Sequence, residues 1–131
     1  MFLYAIAGFY TEKGAEISTS SIERLDLTNP ISWETLSIEG TESIAKASFG
    51  TLELPNNPKF LIFGGWQKYK YHDDVYLLDI ESSSLSKLDI RLPAPDVFTK
   101  RPYTVSPNKY LISGVNGILS IEVEGSNIFI K

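Results

Sequence analysis

The chain has 131 residues, 43% hydrophobic and 21% charged, with 12 Lys and Arg against 16 Asp and Glu for a formal net charge of −4. These proportions fit one globular domain rather than a disordered segment, and the acidic balance argues against a general nucleic-acid-binding surface, which needs clustered positive charge. Cysteine is missing, which removes disulfides, thiolate zinc sites and cysteine nucleophiles and fits a cytoplasmic, reducing compartment.

No apolar run approaches the roughly 18 residues of a membrane span. The opening stretch Met1 to Tyr10 is apolar but has no basic start, and it matches two internal runs. It is therefore expected to be a strand over 2–7 rather than a targeting segment. Strands near 20–27 and 33–38 follow, turned at Asn29-Pro30, where the residue before proline is pushed out of helical space. Glu42 to Ser48 is friendly to helix but short. A second unit reads as strands near 49–54, 59–64, 74–80 and 85–90, with turns at Asn56-Asn57-Pro58 and Glu81-Ser82-Ser83-Ser84. A third reads as strands near 101–106, 109–114, 117–123 and 127–131. Its turns are Ser106-Pro107-Asn108, Asn116-Gly117 (a strong hairpin signal) and Gly125-Ser126.

The units echo one another. Phe2 to Gly8, Phe60 to Gly65 and Lys109 to Gly114 are apolar runs that stop on small residues. Each is followed by a strand pattern that carries an acid near its end, at Asp26, Asp79 and Glu122. The matched glycines Gly8, Gly65 and Gly114 recur at intervals of about 50 residues, a period that points to propeller blades of short strands.

These residues resemble the kelch-repeat family of β-propellers. Gly64-Gly65 is the full double glycine of that pattern, with Ala7-Gly8 and Ser113-Gly114 as weaker versions. Tyr76 falls in the tyrosine region of the second repeat and Trp33 at the tryptophan position of the first; Leu85 and Ile128 stand where further tryptophans belong. The resemblance implies an all-β fold of kelch-type blades, each a four-stranded antiparallel meander, over 1–40, 41–92 and 93–131. It also implies that Gly8, Gly64, Gly65 and Gly114 serve the turns, and that Trp33 and Tyr76 pack between blades. A WD40 architecture is disfavoured, because no Gly-His…Trp-Asp pattern appears.

Propellers have at least about four blades, so the ring is expected to be incomplete, with apolar blade flanks exposed. Three completions are open: the rest of a longer propeller, a second copy of the chain, or another protein.

The segment Trp66-Gln67-Lys68-Tyr69-Lys70-Tyr71-His72 alternates aromatic and basic residues in an expected loop between the second and third strands of its blade. Aromatics with hydrogen-bonding tips make good interface anchors. With Arg91, Lys100 and Arg101 on or near the same end, the segment reads as a docking patch for an acidic peptide or protein. The plainer reading lays Tyr69 and Tyr71 back on the blade and leaves the lysines solvated. Stacking of single-stranded bases is a weaker alternative in an acidic protein. His72-Asp73-Asp74 holds the sole histidine beside two acids, but neighbours in a strand face opposite sides, which disfavours a metal or catalytic site.

No catalytic motif, phosphate-cradling glycine loop or glycosidase carboxylate pair is visible. Enzymes of the resembling architecture include a galactose-oxidase type whose copper site uses a Cys–Tyr crosslink and histidines, which a chain with no Cys and one His does not supply. The expected function is a non-enzymatic, cofactor-free interaction or scaffold module. The alternatives are a structural subunit embedded in an assembly through its flanks, and a part of an enzyme whose catalytic residues lie in other blades.

Overall fold

A computed structural model describes residues 2–13, 15–55 and 59–131, with the backbone alone for 8–12 and 15–19. The described residues form twelve strands and one short 3-10 turn, Thr41–Ile44, where the helix-friendly stretch was expected. The strands form three antiparallel sheets in chain order. The first holds β1 (Phe2–Glu12), β2 (Ala15–Asp26) and β3 (Glu34–Leu36). The second holds β4 (Gly50–Glu53), β5 (Lys59–Phe63), the two-residue β6 (Trp66–Gln67), β7 (Lys70–Asp79) and β8 (Ser84–Asp96). The third holds β9 (Tyr103–Ser106), β10 (Lys109–Ser113), β11 (Ile118–Glu124) and β12 (Asn127–Ile130). The all-β expectation therefore holds, as does the order of three meander units, and none of the sheets closes on itself.

Period-two patterning explains how the sheets stack. On β5 and β7, Phe60, Ile62, Tyr76 and Leu78 face one way and pack with Ile22 and Ile38 from the first unit and Ile44 from the 3-10 turn. Leu61, Phe63 and Val75 face the other way, joining Leu52, Leu92 and Phe98 against Tyr110, Ile112, Leu119 and Ile121 of the third sheet. Both faces of the second sheet are thus covered, which is why β5 is a nearly continuous apolar run. Tyr76 is buried as expected. Trp33 is not: it is 47% exposed and lies outside the named strands, so the tryptophan position of the first unit does not fill a core here.

Three stretches depart from the sequence reading. The stretch from Phe9 to Thr19, expected as a loop between strands 2–7 and 20–27, is strand over 9–12 and 15–19, where β1 and β2 pair as far as Glu12 and Ala15. A bulge between Ile6 and Gly8, with Ala7 at φ 47°, interrupts their register. The segment at Trp66 is a hairpin rather than an open loop. The strand expected over 85–90 runs on to Asp96 through Pro93 and Pro95, which an edge strand tolerates because one side needs no amide donors. The Asn56-Asn57-Pro58 turn lies outside the described residues. The other turns follow their chemistry. Asp26 Oδ1 accepts the Thr28 amide at 2.9 Å, Asp79 Oδ1 accepts those of Glu81 and Ser82, and the Gly114 amide donates to Gly117 at 2.7 Å across the Asn116-Gly117 turn.

The flanks are less apolar than expected. Cross-strand register places Lys109, Leu111, Ser113, Ile118, Ser120 and Glu122 together on the outer face of the third sheet. Ser113 and Ser120 interrupt its apolar surface, and Lys109 pairs with Glu122 at 3.6 Å.

Candidate functional site

The segment singled out in the sequence forms a compact hairpin. Trp66 pairs with Tyr71 and Gln67 with Lys70, leaving Lys68 and Tyr69 as the turn. Both turn residues have positive φ, 52° and 63°. Two consecutive left-handed residues are the geometry of a type I′ turn, which matches the twist of the flanking strands but is ordinarily made by Asn-Gly. The hairpin is anchored at its base: Trp66 and Ala47 exchange backbone hydrogen bonds of 2.8 and 2.9 Å, and the His72 amide donates to Gly65 at 2.9 Å. The His72 ring Nε2 lies 3.2 Å from the Gln67 carbonyl.

Strand alternation sorts the side chains. Trp66 and Tyr71, opposite each other, share one face, and Gln67 and Lys70 share the other. Tyr69 folds toward the aromatic side, its ring 5.9 Å from that of Trp66 at an interplanar angle of 85°. Edge-to-face contact of this kind suits the charge distribution of aromatic rings. Tyr69 remains 92% exposed, and Trp66 and Tyr71 are exposed as well. The tyrosine at the tip does not lie back on the sheet. Lys68 and Lys70 are exposed beside it.

None of the remaining basic candidates belongs to the hairpin itself. Arg91 of β8 donates to Asp73 Oδ1 at 2.6 Å and lies 3.5 Å from Asp74 Oδ1, so its charge is spent within the second sheet. Lys100 is exposed in the link after Phe98. Arg101 lines a groove of about 540 Å³ with Phe2, Tyr4, Thr51, Glu53 and Thr104, to which the first strands β1, β4 and β9 of the three sheets all contribute. The hairpin residues do not line that groove.

The two acids beside His72 belong to an ion-pair cluster. Asp74 Oδ2 lies 3.5 Å from the Lys46 ammonium, and Lys87 approaches Asp74 Oδ1 at 3.9 Å. Lys46 is buried, with its ammonium 5.2 Å from the centre of the Tyr76 ring. Burial pushes the Lys46 ammonium below the usual lysine range, against the opposing pull of Asp74. Burial alone would raise Asp74, but attraction to Lys46 and Lys87 and a hydrogen bond from Lys46 carry it below the usual carboxylate range. Burial raises the Tyr76 phenol, with the Asp74 charge adding to the effect. Among the described residues, no group of three or more His, Asp and Glu is placed to hold a metal ion.

Asp96 is the other buried charged residue of the described chain. Its Oδ1 accepts amides from Val97 at 2.8 Å and Val115 at 2.9 Å, and Asn116 donates to both oxygens at 3.2 and 3.1 Å. Its carbonyl accepts the Gly65 amide at 2.9 Å. The glycine turns of the second and third units thus meet at one residue. Gly64 and Gly65 both have positive φ, 65° and 102°, and a Cβ on Gly64 would stand 2.6 Å from the Asp96 carbonyl oxygen. Neither Lys46 nor Asp96 was singled out in the sequence. The available signal was a charged residue in an otherwise small or apolar link just ahead of each unit, in Ala45-Lys46-Ala47 and Pro95-Asp96-Val97.

Among the described residues, no helix is long and apolar enough to cross a membrane. Compared with protein-family models and with curated proteins, the chain matches none.

Proposed function

We propose that the chain is part of a kelch-type β-propeller acting as a non-enzymatic interaction module, and that the β6–β7 hairpin is its docking element for an acidic peptide or protein segment. Three consecutive meander sheets stacked face to face, with their opening strands along one groove, support the blade reading. The single observation that carries the functional reading is the tip of the hairpin, where Tyr69 is 92% exposed yet held against Trp66 between two lysines. Among the described residues, Lys68 and Lys70 have no ion-pair partner, whereas Arg91, Lys46, Lys59 and Lys109 each have one. An unneutralised basic tip on a chain of net charge −4 favours an acidic segment over other surfaces.

The test is a display selection of acidic peptides against the intact chain. Enrichment that disappears on changing Lys68, Tyr69 and Lys70 together to Ala, with an unchanged thermal melt, supports the assignment. Equal enrichment with the triple variant refutes it.

A second reading, embedding in a larger assembly through the outer sheet faces, is favoured by one observation. Tyr103 and Ile118, on the outward face of the third sheet, are 71% and 70% exposed. The serines and the Lys109–Glu122 pair on that face weigh against it.

A further inference from the structure

The Lys68-Tyr69 turn has a conformation its residues do not favour. Left-handed φ is easy for glycine and tolerable for Asn or Asp, whose short side chains bond locally; Lys and Tyr have neither advantage. Sparsely populated backbone of this kind persists only where its surroundings hold it, and it concentrates at functional sites. Here the surroundings are visible: the Ala47–Trp66 bridge below, the His72–Gln67 contact at the side and the Trp66 ring against Tyr69.

We infer that the Lys68-Tyr69 turn is a preorganised element that determines the specificity of the docking site, fixing the Tyr69 ring so that an extended, acidic, proline-containing segment meets an already ordered surface. This rests on the reading of the hairpin as the docking site and adds the means by which it selects. The rings of Trp66, Tyr69 and Tyr71 offer flat apolar area on one side of the hairpin, suited to the rings of a stretched proline-containing chain. Lys68 at the turn and Lys70 on the opposite face supply charge around that area rather than within it. A tip already ordered loses less side-chain and loop freedom on binding, so restraint of the turn appears as affinity.

The experiment uses the intact chain, a fluorescein-labelled Glu-Pro repeat peptide, and a Lys-Pro repeat peptide as the charge control. Replacing the turn with Asn-Gly (Lys68→Asn with Tyr69→Gly) removes the unfavourable backbone and should raise the melting temperature by about 5 °C. Inserting two glycines between Lys68 and Tyr69 keeps every side chain but frees the tip, and should weaken Glu-Pro binding by about tenfold. A melting temperature unchanged or lowered in the Asn-Gly variant overturns the inference with no ligand involved. Glu-Pro binding as tight in the glycine-insertion variant as in the parent overturns it while leaving the docking assignment in place. Failure of the parent to bind Glu-Pro above Lys-Pro overturns the acidic, proline-containing peptide class, while the docking assignment stands or falls on the display selection.

Discussion

The carboxylate of Asp96 fills the space that a side chain at Gly114 would need. A Cβ on that glycine would run into both carboxylate oxygens and their carbon, and Asp96 is not free to swing away, because its oxygens hold the Val97, Val115 and Asn116 amides. The glycine that ends the apolar run of the third unit is therefore required less for backbone freedom than for the approach of a buried acid at the end of β8.

Gly114→Ala should destabilise the chain by roughly 2–4 kcal/mol, through displacement of a buried, hydrogen-bonded group. Asp96→Ala should cost about 2–3 kcal/mol by leaving the Val97 and Asn116 amides without their acceptor and Val115 with only its 3.3 Å bond to the Val97 carbonyl. Because the two share one mechanism, the double variant should lose less than the sum. Urea titration of the four proteins measures the coupling; strict additivity would show that the contact is not shared.

The Lys46–Asp74 pair should respond unequally to removal of either partner. Lys46→Met leaves Asp74 with Lys87 and Arg91 and fills the space with apolar atoms, so the cost should stay under about 1.5 kcal/mol. Asp74→Ala strands a buried ammonium and should cost about 3 kcal/mol. Equal losses in urea titrations would mean that the network, rather than the buried amine, sets the energy.

Acid should weaken the fold partly through Asp74 and Asp79, both held below the usual carboxylate range. For Asp79, burial acts upward, but hydrogen bonds from Ser82 and the charge of Lys59 outweigh it. A carboxyl whose folded pKa lies under its unfolded value of about 3.9 stabilises the fold fully above that value and loses the contribution as pH falls through the folded pKa. Denaturation midpoints measured downward from about pH 6 should therefore begin to fall near pH 4, with a shallower fall in Asp74→Asn. An identical slope in that variant would remove Asp74 from the account.

The contact between Tyr69 and Trp66 should be visible without a ligand. In a Trp33→Phe background, Tyr69→Ala should increase the accessibility of Trp66 to acrylamide and change the near-ultraviolet circular dichroism. The melting temperature should move little, since Tyr69 is almost fully exposed. Unchanged quenching would mean that the two rings do not rest together in solution.

Trp33 and Tyr76 separate resemblance from packing. Trp33, half-exposed and outside the named strands, should tolerate Ala at a cost of under about 1 kcal/mol, whereas Tyr76→Ala removes a buried ring from between two sheets and should cost roughly 3–4 kcal/mol. A large loss at Trp33 in urea titration would restore it to the core.

What could be read from the sequence depended on local chemistry. Runs such as Phe60 to Phe63 and Ile118 to Val123, bounded by Gly, Asn and Ser, announce strands and turns directly, and they located the three sheets. The strand continuations at 9–12 and 15–19 and the β6–β7 hairpin were hidden because a mixed polar and aromatic stretch and a Lys-Tyr turn carry no hairpin signature; their pairing extends that of longer strands. The end of β8 was hidden by Pro93 and Pro95, which ordinarily speak against a strand. Of the candidate site, the aromatic and basic content of the hairpin was legible. That Arg91 is consumed by Asp73, and that Lys46 and Asp96 are buried, depends on contacts between residues far apart in the chain that no local pattern encodes.

The two prolines of β8 also limit what can associate with this molecule. β8 pairs with β7 alone, so its other side is a rim of the second sheet. A polypeptide laying itself along that rim would find two positions with no amide to offer, a polar interruption at Asp89 and a cation at Arg91, and its own carbonyls would go unanswered. The rim therefore resists templating, and contact along it falls to side chains rather than to backbone pairing.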